Sequence, residues 1–518
     1  MDRLSSALGT RLDGLGGFDR WFWTLAVVVV VGTLTSILST TSVNVALSTL
    51  SFELDAPIDQ IQWVVTAYLL ALAAVIPVTG WAVDRFGVRR LWLTTSTIFV
   101  GASALCGLAW SANSLIAFRV IQGLAGGMIM PLGMIILTLA VGPARVGRAM
   151  SVVGVPMLLG PTFGPVLGGL LVEYLGWPFI FLMNVPVGLV GLVLAWRLLP
   201  DSRASGHHRL DWVGLLLASP GVALLTFGLA EIPGHGSVGY PTIYVPLLTG
   251  IALLAAFIWR ARRVDDPLID VRLFTNLRLA AAVVTTFLLG VALFGSLIVL
   301  PLYFQIVRGE GALDTGLLLI PQGLAAAVLM PIVGPLTDRF GGGRVVLAGV
   351  ALLALGTAVL TQVGADTPYP VLLAALAVRG FGLGASMMPA MAAAYAAMRP
   401  ETVPRATSGL NVMQRVGGSI GGAVLAVILN AQLATALPGL GATDEGGVPA
   451  GGLGPFAGAA ADAFGTTFWW ALWLTLAAIP AAVVLARQER RAREAHSATT
   501  DEVAARSTAD PVGTCQVP

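Results

Sequence analysis

Three arginines, Arg119, Arg379 and Arg415, fall inside long apolar stretches of the chain. On insertion scales a charge at the centre of a bilayer costs roughly 2.5–3.5 kcal/mol, so such residues usually face a protein interior and mark a pathway. No Asp or Glu lies near the middle of any of these stretches. Asp59, Glu173 and Glu231 come only at their ends. An interior with unpaired guanidinium groups attracts anions and opposes lipophilic cations. Bonding of these arginines to backbone carbonyls, or snorkelling to the interface, would cancel that field.

A second constellation occurs twice. "GWAVDRFGVRR" spans Gly80–Arg90 and "GPLTDRFGGGR" spans Gly334–Arg344, their aspartates Asp84 and Asp338 standing 254 residues apart. In each motif a carboxylate, adjacent arginines and a glycine turn could make and break a charged contact. The residues are Asp84, Arg85, Gly87 and Arg89 in the first copy, Asp338, Arg339 and Gly341 in the second. Asp84 is expected where the third apolar segment begins, since a helix N-terminus favours a carboxylate. Scattered polar residues inside apolar segments could line a mixed cavity that adapts to small molecules. They are Ser39, Thr41, Asn44, Tyr68, Gln122, Tyr303, Gln305, Gln322, Asn411 and Gln414.

Other chemistry has no constellation to carry it. The four histidines, His207, His208, His235 and His496, fall in expected loops or the tail, so no metal cluster is expected. All 29 basic residues are Arg, so no Walker-type phosphate loop with its Lys is possible. Cys106 and Cys515 cannot form a disulfide framework. No catalytic site, cofactor or nucleic-acid partner is expected, and a sensor would carry a soluble domain that the chain lacks room for.

The elements that position these residues follow from composition. The 518 residues are 56% hydrophobic and 11% charged, with a mean hydropathy of +0.86. Soluble domains carry about 25% charge, and a bilayer core takes roughly 20 apolar residues per helix. Apolar segments fall at 21–47, 60–80, 91–111, 114–139, 149–172, 178–198, 211–230, 242–261, 279–304, 315–336, 345–364, 370–396, 407–432 and 465–486, fourteen in all. The first is too long for a signal peptide. With the N-terminus placed inside, 25 of the 29 arginines fall in cytoplasmic segments and one, Arg308, outside. That asymmetry sets the orientation. The expected divisions are a cytoplasmic segment 1–20, a six-helix bundle 21–198, a linker with two helices 199–278, a second six-helix bundle 279–486 and a cytoplasmic tail 487–518, helical at first and then disordered. A Gly/Ala/Pro-rich outer loop at 433–464 reads as flexible linker. Repetition of the Asp motif, followed each time by an Arg/Gly helix from Arg119 or Arg379, points to internal duplication with a site between the halves.

Taken together, these motifs resemble the fourteen-helix drug:proton antiporter family of the major facilitator superfamily, EmrB/QacA type. The resemblance covers about 21–486. It rests on "TTSVNVAL" (Thr40–Leu47), "QWVVTAYLLA" (Gln62–Ala71), the Gly80–Arg90 motif, "RVIQG" from Arg119, "GPTFGPVLGG" (Gly160–Gly169), "FLMNVPVG" (Phe181–Gly188) and "PLYFQ" (Pro301–Gln305). It implies an all-α membrane protein of fourteen transmembrane helices that exports drugs or natural products by proton antiport, as a monomer in the bacterial cytoplasmic membrane. A uniporter or uptake carrier is the alternative. The Asp motif would latch the cytoplasmic ends in one conformation. Gly160, Gly164, Pro165, Gly168 and Gly169 would form the antiporter motif, a bendable fifth helix packed on a helix of the other half. Two positions depart from the pattern: Ser39 stands where the family has Asp, and Trp177-Pro178-Phe179 replaces Trp-Arg-Trp. The first bears on proton coupling. The substrate is expected to be neutral or anionic.

Overall fold

In hydrocarbon every backbone N–H and C=O must be satisfied within its own segment, so apolar runs of this length become helices. The structure, a computed structural model, describes residues 20–200, 209–235, 239–436 and 456–509. Residues 1–19, most of the expected outer loop, His207, His208 and Cys515 lie outside the described residues. The first eight long helical segments are α1 (Arg20–Glu53), α2 (Ile58–Phe86), α3 (Val88–Gly107), α4 (Ala112–Val141), α5 (Val146–Leu175), α6 (Pro178–Leu198), α7 (Trp212–His235) and α8 (Pro241–Ala261). After them come α9 (Leu277–Val307), α10 (Ala312–Phe340), α11 (Gly342–Leu360), α12 (Tyr369–Ala396), α13 (Val403–Ala436) and α14 (Ala457–Glu494).

The expected count of fourteen spans is met only in part. Among the described residues, 12 helices are long and apolar enough to cross a membrane, and 13 if the bent pair in α5 is one span. α3 has 20 residues, but Arg89, Arg90 and the run Thr94-Thr95-Ser96-Thr97 dilute its apolar content. α5 bends by 47° between Pro161 and Phe163. Pro161 and Pro165 lack the N–H that a helix interior needs and crowd the preceding turn. The tail, expected to begin as helix and then to be disordered, is helical as far as Ala509.

α1–α6 pack on one another, as do α9–α14, and the two sets meet along α5 with α10 and α13 with the end of α2. The α7–α8 hairpin lies on the second seam, where α7 packs against both α2 and α13. Trp63 of α2 stacks on Phe227 of α7, with ring centroids 5.8 Å apart. Val222, Leu225 and Leu229 of α7 share one apolar cluster with Leu72 and Val412.

Glycines set the register of the internal repeat. A Cβ at Gly123 or Gly127 of α4 would strike the carbonyls of Tyr68 and Leu72 in α2. Gly380 and Gly384 of α12 meet Gln322 and Ala326 of α10 in the same way. Arg379, one residue before Gly380, therefore corresponds to Gln122 and not to Arg119. Both lie on the same helix face, one turn apart.

Candidate functional site

The Asp motifs are helical, not loops. Asp84 lies in the last turn of α2, and Gly87 breaks the chain with φ +81°, a conformation L side chains rarely adopt. Gly341 repeats the break at φ +94° after Asp338. Asp84 does not cap α3. It is buried against the first turn of α13, where Arg405 Nε lies 3.0 Å from Asp84 Oδ2. The Gly80 amide donates to Ser408 Oγ at 3.0 Å, and a Cβ at Gly80 would press on the backbone of Pro404 and Arg405. In the other copy, Arg148 Nε lies 3.3 Å from Asp338 Oδ2, and the Gly147 amide of α5 donates to Asp338 Oδ1 at 2.8 Å. A Cβ at Gly334 would press on Arg148 and Ser151. Each half's carboxylate thus sits at the N-terminus of a helix in the opposite half.

Arg148 and Arg405 counted in the sequence only towards the cytoplasmic arginine excess, and Ser151 and Ser408 were not singled out. Their signal is there, as "RAMS" and "RATS" recur 257 residues apart. Arg405 also reaches Asp266, just after α8, at 2.5 Å. Arg85 is exposed, while Arg89 donates to the Trp196 carbonyl at 2.6 Å. Arg339 offers its carbonyl to Arg493.

Glu489, in the expected tail, holds the second copy in place. Its carboxylate accepts from the Gly342 and Gly343 amides at 3.2 and 2.8 Å, and Arg278 lies 3.9 Å away. Removing it leaves two buried N–H groups and a cation without their acceptor, a loss of about 1–3 kcal/mol. Glu489→Ala should lower the thermal midpoint of the purified protein by several degrees, and Glu489→Gln by less. An unchanged midpoint would mean that water replaces the carboxylate there.

Between the halves, beyond these pairs, lies a cavity of about 630 Å³, drug-sized. Asn411 of its lining lies 3.9 Å from Met134 Sδ, which also accepts from the Tyr395 hydroxyl at 3.5 Å. Thr41, Asn44, Gln322, Asn411, Gln414 and Arg415 line it, as expected from sequence, and Thr33, Ser36, Thr40 and Ser419 add to them. These four were missed because a short hydroxyl in an apolar helix usually bonds its own backbone, as Thr33 does to Val29. No Asp or Glu is among the lining residues, and Arg415 is the one charged residue there.

Five expected cavity residues lie elsewhere. Tyr303 and Gln305 sit in a π-helical turn after Pro301, where Tyr303 donates to the Gly364 carbonyl at 2.8 Å and Gln305 is exposed. Ser39, Tyr68 and Gln122 surround Arg119 instead. Its Nε donates to the Val64 carbonyl at 3.0 Å, and Nη1 to Gln122 Oε1 at 2.6 Å and Ser39 Oγ at 3.2 Å. Its guanidinium lies 3.9 Å from the Tyr68 ring centroid. Arg119 is fully buried, its Nη2 has no hydrogen-bond partner among the described residues, and no carboxylate joins the group. Tyr68 connects this group to the cavity, donating to the Ser36 carbonyl and accepting from Thr40, each at 3.3 Å. Arg379 is buried away from the cavity wall, with Nε and Nη1 unpartnered among the described residues.

The glycine stripe of α5 packs on α1 of its own half, not on the other half. Ser42 Oγ donates to the Gly164 carbonyl at 2.9 Å, and Cβ atoms at Gly160, Gly164 and Gly168 would strike Ile37, Thr41 and Ser42. Gly169 has only ordinary contact, with Val45. The opposite half is met by other glycines of α5, Gly147 and Gly154.

Residues 29–422 match the Major Facilitator Superfamily. The chain is 43% identical over 408 residues to the multidrug resistance protein B homolog of Mycobacterium tuberculosis, covering 78% of this chain and 76% of that one. It is 30% identical to the tetracenomycin C resistance and export protein of Streptomyces glaucescens, over 84% of this chain and 81% of the other. Its fold is similar to the crystal structure of the human organic anion transporter MFSD10, with a TM-score of 0.59 at 18% identity, covering 88% of this chain and 99% of that one.

Proposed function

The chain belongs to the major facilitator superfamily, and from that membership we propose that it exports drugs or natural products from a bacterial cell by alternating access. It is a multi-pass membrane transporter of small molecules, not an enzyme. The observation that carries the export reading is the crossed pair Asp84–Arg405 and Asp338–Arg148 beside a drug-sized cavity. With both pairs made, that end of the seam is shut. Breaking them lets the halves rock and exposes the cavity to the side on which the pairs stand. The names of the relatives, which concern multidrug resistance and tetracenomycin C export, favour the outward direction. Expression in a pump-deleted bacterium should raise resistance at least fourfold to tetracenomycin C or another lipophilic antibiotic. No protection across a broad panel, at confirmed membrane expression, would contradict it.

In this reading the chain spans the cytoplasmic membrane fourteen times as a monomer. α3, at about 1.5 Å per residue, is long enough for a 30 Å core, and α5 crosses despite its bend. The halves 21–198 and 279–486 rock, the linker 199–278 rides on their seam, and the arginine-rich Asp-motif end and both termini face the cytoplasm. Reporters fused after Arg209 and after Arg491 should both read cytoplasmic, and one within 440–460 external. Ends on opposite faces would remove the fourteen-span count.

Proton antiport is the proposed drive. Ser39, hydrogen-bonded to Arg119, supplies no titrating group there. The proton would instead use Glu231, which follows the lining residues Leu229 and Ala230 on α7, in preference to the exposed Asp59 and Glu173. The absence of acidic residues from the cavity lining favours a neutral or anionic substrate. The same absence, with Ser39 at Arg119, is the observation that favours a uniporter as the second reading.

A further inference from the structure

We infer that Arg415 is the binding point for an anionic head group, which makes the preferred cargo an organic acid, carboxylate or sulfonate, on a ring-bearing apolar body. The inference rests on the export reading and narrows its substrate class. Arg415 lines the cavity from α13 and makes no hydrogen bond or ion pair with the described residues. Arg119 differs: it is tied to four backbone or side-chain acceptors and an aromatic face, and lies off the cavity wall. Of the three arginines within the apolar segments, Arg415 alone is on the cavity wall, where its donors can meet a ligand.

A guanidinium presents five N–H groups in a planar fork that matches a carboxylate with two parallel bonds. In a site shielded from water that pairing counts for more than in solvent. Gln322, 7% exposed, also faces the cavity, and its Oε1 has no partner among the described residues. The remaining wall includes Met130, Met157 and Phe294, flexible and aromatic surface suited to ring systems of varied shape. With no acidic residue on the wall, a lipophilic cation meets Arg415 without compensation.

The test is equilibrium binding to the full-length purified protein of three probes with one body: pyrenebutyrate, pyrenebutanol and pyrenebutyl-trimethylammonium. In the wild type, affinity should fall in that order, with at least a tenfold difference between first and last. In Arg415→Gln the acid-over-alcohol ratio should collapse towards one. Arg415→Lys, which keeps the charge but loses the fork, should hold part of it. Ser419→Glu, one helical turn along α13, should weaken the acid without weakening the cation. Three results overturn the inference: equal binding of cation and acid by the wild type, an unchanged ratio in Arg415→Gln, or no saturable binding of pyrenebutyrate. If Arg415→Gln does not fold, the wild-type order and the Lys variant decide. None of these results touches the resistance test, whose failure alone would remove the export reading.

Discussion

Asp84→Asn should cut transport at least tenfold while the protein still inserts and accumulates normally. Asp84 has a side-chain exposure of 7%, and its partner Arg405 of 16%. Removing one member of a buried pair strands the other charge, at about 3–5 kcal/mol in well-buried cases. Here Arg405 keeps Asp266, but that carboxylate is 38% exposed, and pairs so placed contribute only about 0–1 kcal/mol. Asn also retains a hydrogen bond. The closed gate should thus lose roughly 1.5–3 kcal/mol, a shift of about tenfold to a hundredfold in its population. Asp338→Asn strands Arg148 less, since the Arg148 side chain is 31% exposed, so its deficit should be smaller. Accessibility of a cysteine in place of Ser419 on the cavity wall from the cytoplasmic side should rise in both variants. Normal flux and normal accessibility in Asp84→Asn would make the motif a charge cluster that only sets topology.

Gly164→Leu should abolish transport and lower the yield of folded protein. A Cβ at this position overlaps Thr41 Oγ1 before any further atom is added, and Ser42 already donates to the Gly164 carbonyl. Four side-chain carbons cannot be placed without separating α5 from α1, and overpacking of a close seam costs typically about 1–3 kcal/mol. α5 carries both Gly147, which holds Asp338, and the 47° bend, so a shift at Gly164 is transmitted to the gate. Gly164→Ala should show a partial defect, and Gly169→Ala almost none, because a Cβ at Gly169 meets only Val45 at an ordinary contact distance. Gly164→Leu with full transport would place this face of α5 against lipid.

Much of the architecture was legible because a bilayer makes hydropathy decisive. The apolar segments from 21–47 to 465–486 correspond to helices, and the repeat at Asp84 and Asp338 marked equivalent places. Depth within a helix was less legible. Thr41, Asn44, Gln322, Asn411, Gln414 and Arg415 reach the cavity, whereas Ser39, Tyr68 and Gln122 turn to Arg119. One polar residue per turn cannot report which neighbour it faces. The gate partners Arg148 and Arg405 were hidden for a different reason: as members of the cytoplasmic arginine excess they looked topogenic. Glu489 was missed because a charged C-terminal run resembles a solvated tail, and only packing on α11 distinguishes it.

Concentrative exchange is the central claim, and everted membrane vesicles test it most directly. With the compound that registers best in the resistance test, energised vesicles with an acidic lumen should accumulate drug above the external concentration. Collapse of the pH gradient by nigericin should release it, and Asp84→Asn vesicles should stay near background. Drug that only equilibrates across the membrane, at a rate indifferent to the gradient, would show facilitated diffusion in place of antiport.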